Sequence, residues 1–307
     1  MKPNSGGVAI LLGVAIPWVL IPSHSDSVGA LCLLGLALAG FLDDRRELTP
    51  TTKLILQFAA AVALISQGVI WRVSGVSIVD ASLTALWIVG ITNAFNLIDN
   101  MDGVCAGVTT LVAGAETVIA VKDGIGPHAI LLALIAGANI GFLVFNHSPA
   151  RIFMGDCGSL FNGFAMAWLS IPTASVSPGR PLLANLSPLL LLSYPIFDTV
   201  LVAVSRWKAG RSIFIGGRDH SSHRLVSLGL SERKAARVIW VLALVPAALA
   251  VMTHGHALLT ATMVAIIASG YATITALLTA QHLKSRHAPQ NAPSNASASN
   301  ELNVLSD

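Results

Sequence analysis

LTALWIVGITNAFNLIDNMDG, residues 83–103, runs from an apolar segment straight into a polar cluster. The run LTALWIVGIT leads, without a turn signal, into three asparagines and two aspartates within residues 93–103. An apolar run of this kind fits a helix crossing a hydrocarbon core, which takes about 20 residues. Asn93, Asn96, Asp99 and Asp102 recur every three residues, roughly along one stripe of that helix and its end. Such a stripe is expensive against lipid, so it should face a protein-lined or watery cleft. Asn93 alone reads as an ordinary interhelix hydrogen bond. Five polar residues so close together point to a functional surface.

The rest of the chain repeats the apolar pattern. Its 307 residues are 54% hydrophobic and 11% charged, with a mean hydropathy of +0.74. Soluble domains carry about 25% charged residues, so the depletion is more than twofold. Ten spans are expected, at 6–22, 27–43, 53–70, 82–98, 104–121, 128–146, 158–172, 182–205, 235–253 and 257–281. This predicts an all-α, polytopic integral membrane protein with one membrane domain, 1–287. Residues 288–307, rich in Asn, Ser, Ala and Pro, read as a disordered tail. A net charge of +3 is too small to suggest nucleic-acid binding. Cys32, Cys105 and Cys157 have no paired spacing, which argues against a disulfide framework or a zinc site.

With ten spans, all but three of the 18 Lys and Arg (Arg72, Lys122 and Arg180) fall on the side that holds both termini. Basic residues gather in cytoplasmic loops, so both termini are expected inside. The same topology sorts the acids. Asp43 and Asp44 close the second span, Asp99 and Asp102 the fourth, Asp156 lies in RIFMGDCGS, and Asp219 lies in GGRDHSSHRL with His220 and His223. All four clusters fall at the cytoplasmic face and are expected to make one site.

Each cluster has a functional and a plainer reading. The pair Asp43–Asp44 suits a hard cation such as Mg²⁺, which takes carboxylates together with substrate phosphates. Pairing with the adjacent Arg45 and Arg46 is the plainer alternative. Gly155 beside Asp156 lets backbone approach a phosphate closely, though Gly-Asp is also turn chemistry. The basic loop carrying Arg218 and Arg224 would attract phosphates or anionic headgroups, and its histidines could bind a pyrophosphate or move a proton. Asp198, inside the eighth span, is either a functional ionisable group or a structural hydrogen-bond partner.

The order of these motifs is similar to the polyprenyl-phosphate N-acetylhexosamine-1-phosphate transferases, glycosyl transferase family 4. It rests on DD after span 2, NxxNxxDxxDG after span 4, FMGDxGS before span 7, a histidine-containing loop after span 8, and PNSGGVAI at the amino end. The resemblance implies Mg²⁺-dependent transfer of a sugar 1-phosphate from a UDP-N-acetyl sugar to undecaprenyl or another polyprenyl phosphate, releasing UMP. This would initiate a cell-envelope glycan at the inner membrane. It implies catalytic roles for Asp43, Asp44, Asp99, His220 and His223. It implies metal binding by Asp156, Asp99 and Asp44, with Mn²⁺ as the substitute ion. Substrate contacts are implied for Asn93, Asn96, Asp102, Gly155, Arg218 and Arg224. A homodimer is the assembly it suggests. The family pattern includes a further helix before the Pro-x-x-Gly-Gly segment, which the chain as written lacks. It also has a histidine at the position of Ser222, which favours the UDP-GlcNAc branch over the phospho-N-acetylmuramoyl-pentapeptide transferases. From other classes, a transporter or flippase would place its acids near mid-membrane, in two similar halves, and a non-catalytic scaffold is the remaining alternative.

Overall fold

A computed structural model describes residues 3–21, 27–175, 186–212 and 217–287. The expected tail at 288–307 and the start of the eighth expected span lie outside them. The described residues form twelve helices and no strand: α1 (Gly6–Leu20), α2 (Ser27–Asp43), α3 (Pro50–Ser66), α4 (Ser77–Ile98), α5 (Val104–Lys122), α6 (Gly126–Asn146), α7 (Gly155–Ser175), α8 (Ser187–Leu191), α9 (Ser193–Lys208), α10 (Ser221–Ser227), α11 (Glu232–Thr253) and α12 (Ala257–His287). Five of them, α4, α5, α6, α11 and α12, are individually long and apolar enough to cross a bilayer, and α1, α2 and α3 are shorter apolar helices. Large side chains such as Ile16, Leu31, Ile55, Val144, Val241 and Leu258 are exposed on their outer faces. Water would penalise such a surface and lipid solvates it. The protein is a multi-pass membrane protein.

Helix α7 is the hub, packing against α1, α2, α4 and α5. Its Phe161, Phe164 and Trp168 are fully buried. Several helix ends differ from the sequence expectation for local reasons. Helix α4 starts five residues early, at Ser77 rather than 82, because Asp80 is turned inward. Its carboxylate accepts the amides of Val73, Ser74 and Gly75 at 3.1, 2.7 and 3.2 Å. The eighth expected span is two helices, α8 and α9, interrupted at Leu192. Pro195 has no N–H to give the carbonyl of Leu191, and its ring crowds that carbonyl, so the ladder breaks there.

The chain direction alternates so that the same end of the bundle gathers the start of α1, the ends of α2 and α4, and the starts of α3 and α7. The amides of Gly6 and Gly7 donate to the carbonyls of Phe153 and Met154 at 3.0 and 2.9 Å, and Phe153 N–H donates to Pro3 O at 3.1 Å. The PNSGG segment is therefore stitched to the strand-like approach to α7. At the opposite end, His254 and Asp123 pair at 2.9 Å, joining the α11–α12 and α5–α6 connections.

Candidate active site

The site is assembled around the first turn of α7. Its unsatisfied amides are capped by another helix: Asp44, just past the end of α2, accepts from Asp156 N–H at 2.9 Å and Cys157 N–H at 3.1 Å. A carboxylate at a helix N-terminus satisfies orphan donors and opposes the positive end of the helix dipole. The approach requires Gly40 one turn earlier, since a Cβ there would collide with the carbonyl of Asp156 and the amide of Cys157. Gly155 begins α7 at φ 70°, a left-handed conformation that glycine adopts without strain.

Lys53, in the first turn of α3, joins two of the acids. Its Nζ lies 2.8 Å from Asp43 Oδ2 and 2.9 Å from Asp156 Oδ2. Asp43 also accepts the amide of Leu48. The other oxygen of Asp156 accepts from Asn96 Nδ2 at 3.0 Å, and the same amide group reaches Ser159 Oγ at 2.9 Å. Asp102 accepts the amide of Ala150 at 2.7 Å. These bonds fix four carboxylates and leave Asp99 without a side-chain hydrogen bond or ion pair among the described residues.

Asp44, Asp99, Asp102 and Asp156 line one cavity of about 320 Å³, together with Asn4, Asn100, Asn146 and Gly155. Burial, then the charges of Asp156, Asp44 and Asp102, push the Asp99 carboxyl well above the usual carboxylate range. Burial also raises Asp44, against the lowering effect of the two amides it accepts. A cavity crowded with carboxylates, one of them unpartnered, fits a hard cation. Among the described residues no three acidic, histidine or cysteine groups form a ready-made cage. Mg²⁺ would thus rest on one or two carboxylates and complete its shell with water and substrate phosphate, as it commonly does.

The histidine loop forms the second half. His220 precedes α10, with Nδ1 2.8 Å from Asp198 Oδ2, and the other oxygen of Asp198 accepts Ser221 N–H at 2.7 Å. Asp198 is thus a hydrogen-bonding anchor for the loop. The His223 ring stands 6.3 Å from that of His220 in an edge-on arrangement. Burial, then His220 and Arg218, depress the His223 imidazole below its ordinary value of 6.5. Burial works to raise Asp219, but Arg211 and Arg206 outweigh it and hold its carboxyl low. Ser222 Oγ donates to Asn100 Oδ1 at 2.5 Å, connecting this half to the cavity.

The remaining sequence candidates are placed differently. Asn93 points away from the cavity partners and pairs with Gln57 of α3, donating to Gln57 Oε1 at 2.6 Å. Arg224 is buried beneath the loop, where it donates to Asp219 O, Leu278 O and Ser205 Oγ. Arg218 is exposed. Sequence reasoning counted Lys53 only as a positive-inside charge, read Ser222 only as the serine at a family histidine position, and passed over Asn4 and Asn100. A lysine in the first turn of the apolar helix that follows an acidic pair is the signal that singles out Lys53. Asn4 and Asn100 carry none of comparable strength.

The family model for glycosyl transferase family 4 matches residues 27–174, which hold the Asp43–Asp44, Asn96–Asp102 and Asp156 clusters. A probable undecaprenyl-phosphate N-acetylglucosaminyl 1-phosphate transferase of Bacillus subtilis (strain 168) is 32% identical, over 79% of this chain and 70% of its own. A decaprenyl-phosphate N-acetylglucosaminephosphotransferase of Mycobacterium tuberculosis is also 32% identical, over 90% of this chain and 79% of its own. A phospho-N-acetylmuramoyl-pentapeptide-transferase of Desulforamulus reducens is 30% identical, over 78% of each. With its motifs gathered at one end of the bundle and relatives that match along most of their length, the chain belongs to glycosyl transferase family 4.

Proposed function

We propose that the protein transfers N-acetylglucosamine 1-phosphate, or that of a related N-acetylhexosamine, from a UDP-sugar to undecaprenyl or another polyprenyl phosphate. An acceptor phosphate oxygen forms a bond to the sugar-bearing phosphorus, and the bond from that phosphorus to the UMP oxygen breaks. UMP leaves, and the product is a polyprenyl diphosphate sugar, the first lipid-linked unit of a cell-envelope glycan. The observation that carries this reading is the carboxylate cavity at the bundle end, with unpartnered Asp99 inside it.

The cavity opens where a lipid phosphate and a soluble nucleotide can meet, at the membrane surface. By charge asymmetry this is the cytoplasmic face of the inner membrane. One or two of Asp156, Asp99 and Asp44 would hold Mg²⁺, or Mn²⁺ in its place, with water and substrate phosphate completing the shell. That ion supplies neutralisation of the diphosphate charge. Lys53 keeps Asp43 and Asp156 in register and offsets their repulsion. Asn96 orients Asp156, and Asp102 holds the 146–151 connection beside the cavity. His220, fixed by Asp198, and largely neutral His223 face the phosphates from the loop as hydrogen-bond donors.

The test is UMP release by the purified protein in detergent with undecaprenyl phosphate, Mg²⁺ and a panel of UDP-N-acetyl sugars. Release should require lipid and Mg²⁺ together, and UDP-GlcNAc should be the best donor. Asp156→Asn should lower the rate at least ~100-fold while leaving the melting temperature within a few degrees. Substantial activity in that variant would overturn the assignment of the site.

A further inference from the structure

We infer that the Ser222–Asn100 hydrogen bond is the positioning contact that ties the histidine helix α10 to the carboxylate cavity, while Asp198 and the Arg224 bonds hold the same helix on α9 and α12. This inference rests on the transferase reading for its kinetic consequence, and on geometry alone for the contact itself. Both residues stand at the junction of the two half-sites. Asn100 lines the cavity between Asp99 and Met101. Ser222 lies in the first turn of α10, 1% exposed, between His220 and His223.

Asn100 is fixed from both ends. Its Nδ2 donates to the carbonyl of Leu97 at 2.6 Å, in the last turn of α4. That leaves Oδ1 as the acceptor for the Ser222 hydroxyl at 2.5 Å. The link therefore runs from a membrane helix, through one amide, to the loop helix. Its effect on the two histidines is unequal. His220 has its own anchor in Asp198. The His223 ring has no hydrogen bond among the described residues, so its place depends on where α10 sits. Where the family resemblance puts a histidine, serine keeps a donor for Asn100 but cannot carry a proton at neutral pH. Position 222 in this chain acts by positioning its neighbours.

The experiment uses the full chain in detergent as wild type, Ser222→Ala, Asn100→Ala and the double variant. The first reading is the rate at which diethyl pyrocarbonate modifies His223, followed by peptide mass spectrometry, with His220 as the internal control. Either single change should speed modification of His223 about five- to tenfold, the size expected for one hydrogen bond, and leave His220 nearly unchanged. The double variant should match the singles, since each removes the same bond. The second reading is UMP release, in which either single change should lower kcat about five- to tenfold with KM for UDP-GlcNAc within about twofold. Unchanged His223 reactivity in both single variants overturns the inference, as does a double variant whose loss is the sum of the two. A wild type that releases no UMP with any donor defeats the transferase reading instead, and the modification rates still decide the tether. Should Ser222→Ala fail to fold, Asn100→Ala alone carries both readings.

Discussion

Lys53 stands where one cation does the work of a bridge. Between Asp43 and Asp156 it bridges two carboxylates that come from helices far apart in sequence and offsets their repulsion. Removing the charge while keeping the stem, as in Lys53→Met, leaves two half-buried acids facing each other across an apolar group. Breaking a fully buried pair costs about 3–5 kcal/mol, and partial exposure reduces this to about 1–3. We expect a melting temperature lower by several degrees in detergent and UMP release lower by about 100-fold. Asp43→Asn in the same background should recover part of the stability and none of the activity. His223 supports a pH prediction at the same scale. Its folded pKa lies below 6.5, so protonation favours the unfolded chain. Its contribution is therefore complete above pH 6.5 and declines as pH falls below that value towards the depressed folded pKa. Melting curves from pH 7.5 down to 5 should show wild type losing more stability than His223→Gln, because the other titrating groups are common to both. Parallel curves would show that His223 is not held neutral.

Among the helices, contact between α2 and α7 determines whether Asp44 reaches its two amides. At Gly40 helix α2 lies against the backbone of α7, and a methyl there meets atoms that cannot swing aside. Gly40→Ala should separate the helices at a cost of about 1–3 kcal/mol, read by thermal melting, and release Asp44 from α7 with loss of transfer activity. Gly35→Ala, on the same helix with open space around its Cβ, is the control and should be silent. Equal behaviour of the two variants would remove Gly40 from this role. The same helices show what the sequence made legible. Apolar length gave the helical class and most spans, and the three-residue spacing of Asn96, Asp99 and Asp102 led to the cavity. Asn93 belongs to that spacing yet turns to Gln57, because α4 presents it to α3 one turn deeper in the bundle. The end of α4 at Ile98 puts Asp102 beyond the helical register, so its bond to Ala150 follows from the loop path. Hydropathy lost the first turn of α4, where a buried Asp80 serves as a cap. It could not see the break at Leu192, which comes from proline inside an apolar run. Lys53, Asn100 and the positioning part of Ser222 were obscured for a common reason: each acquires meaning only from a partner distant in the chain.

At the scale of the whole molecule, the cavity and the positive charge lie at the same end. Arg45, Arg46, Arg151, Arg211, Arg218, Arg233 and Arg237 all belong to connections or helix ends on the cavity side, whereas Arg72 and Lys122 lie at the opposite end. The proposed orientation puts the basic end in the cytoplasm, where UDP-sugars are supplied. The proposed orientation thus makes a prediction independent of catalysis. Glu47 is exposed beside the cavity, in the connection between α2 and α3, and Ser77 is exposed at the far end, at the start of α4. Cysteine placed at each position should respond oppositely to a membrane-impermeant maleimide applied to intact cells, with the outer layer opened first where there is one. Ser77→Cys should label directly. Glu47→Cys should label only after the inner membrane is permeabilised, and the unsubstituted chain sets the background from Cys32, the one native cysteine that is not fully buried. The reverse pattern would put the carboxylates outside, away from nucleotide donors. It would then exclude the proposed reaction whatever the geometry of the cavity.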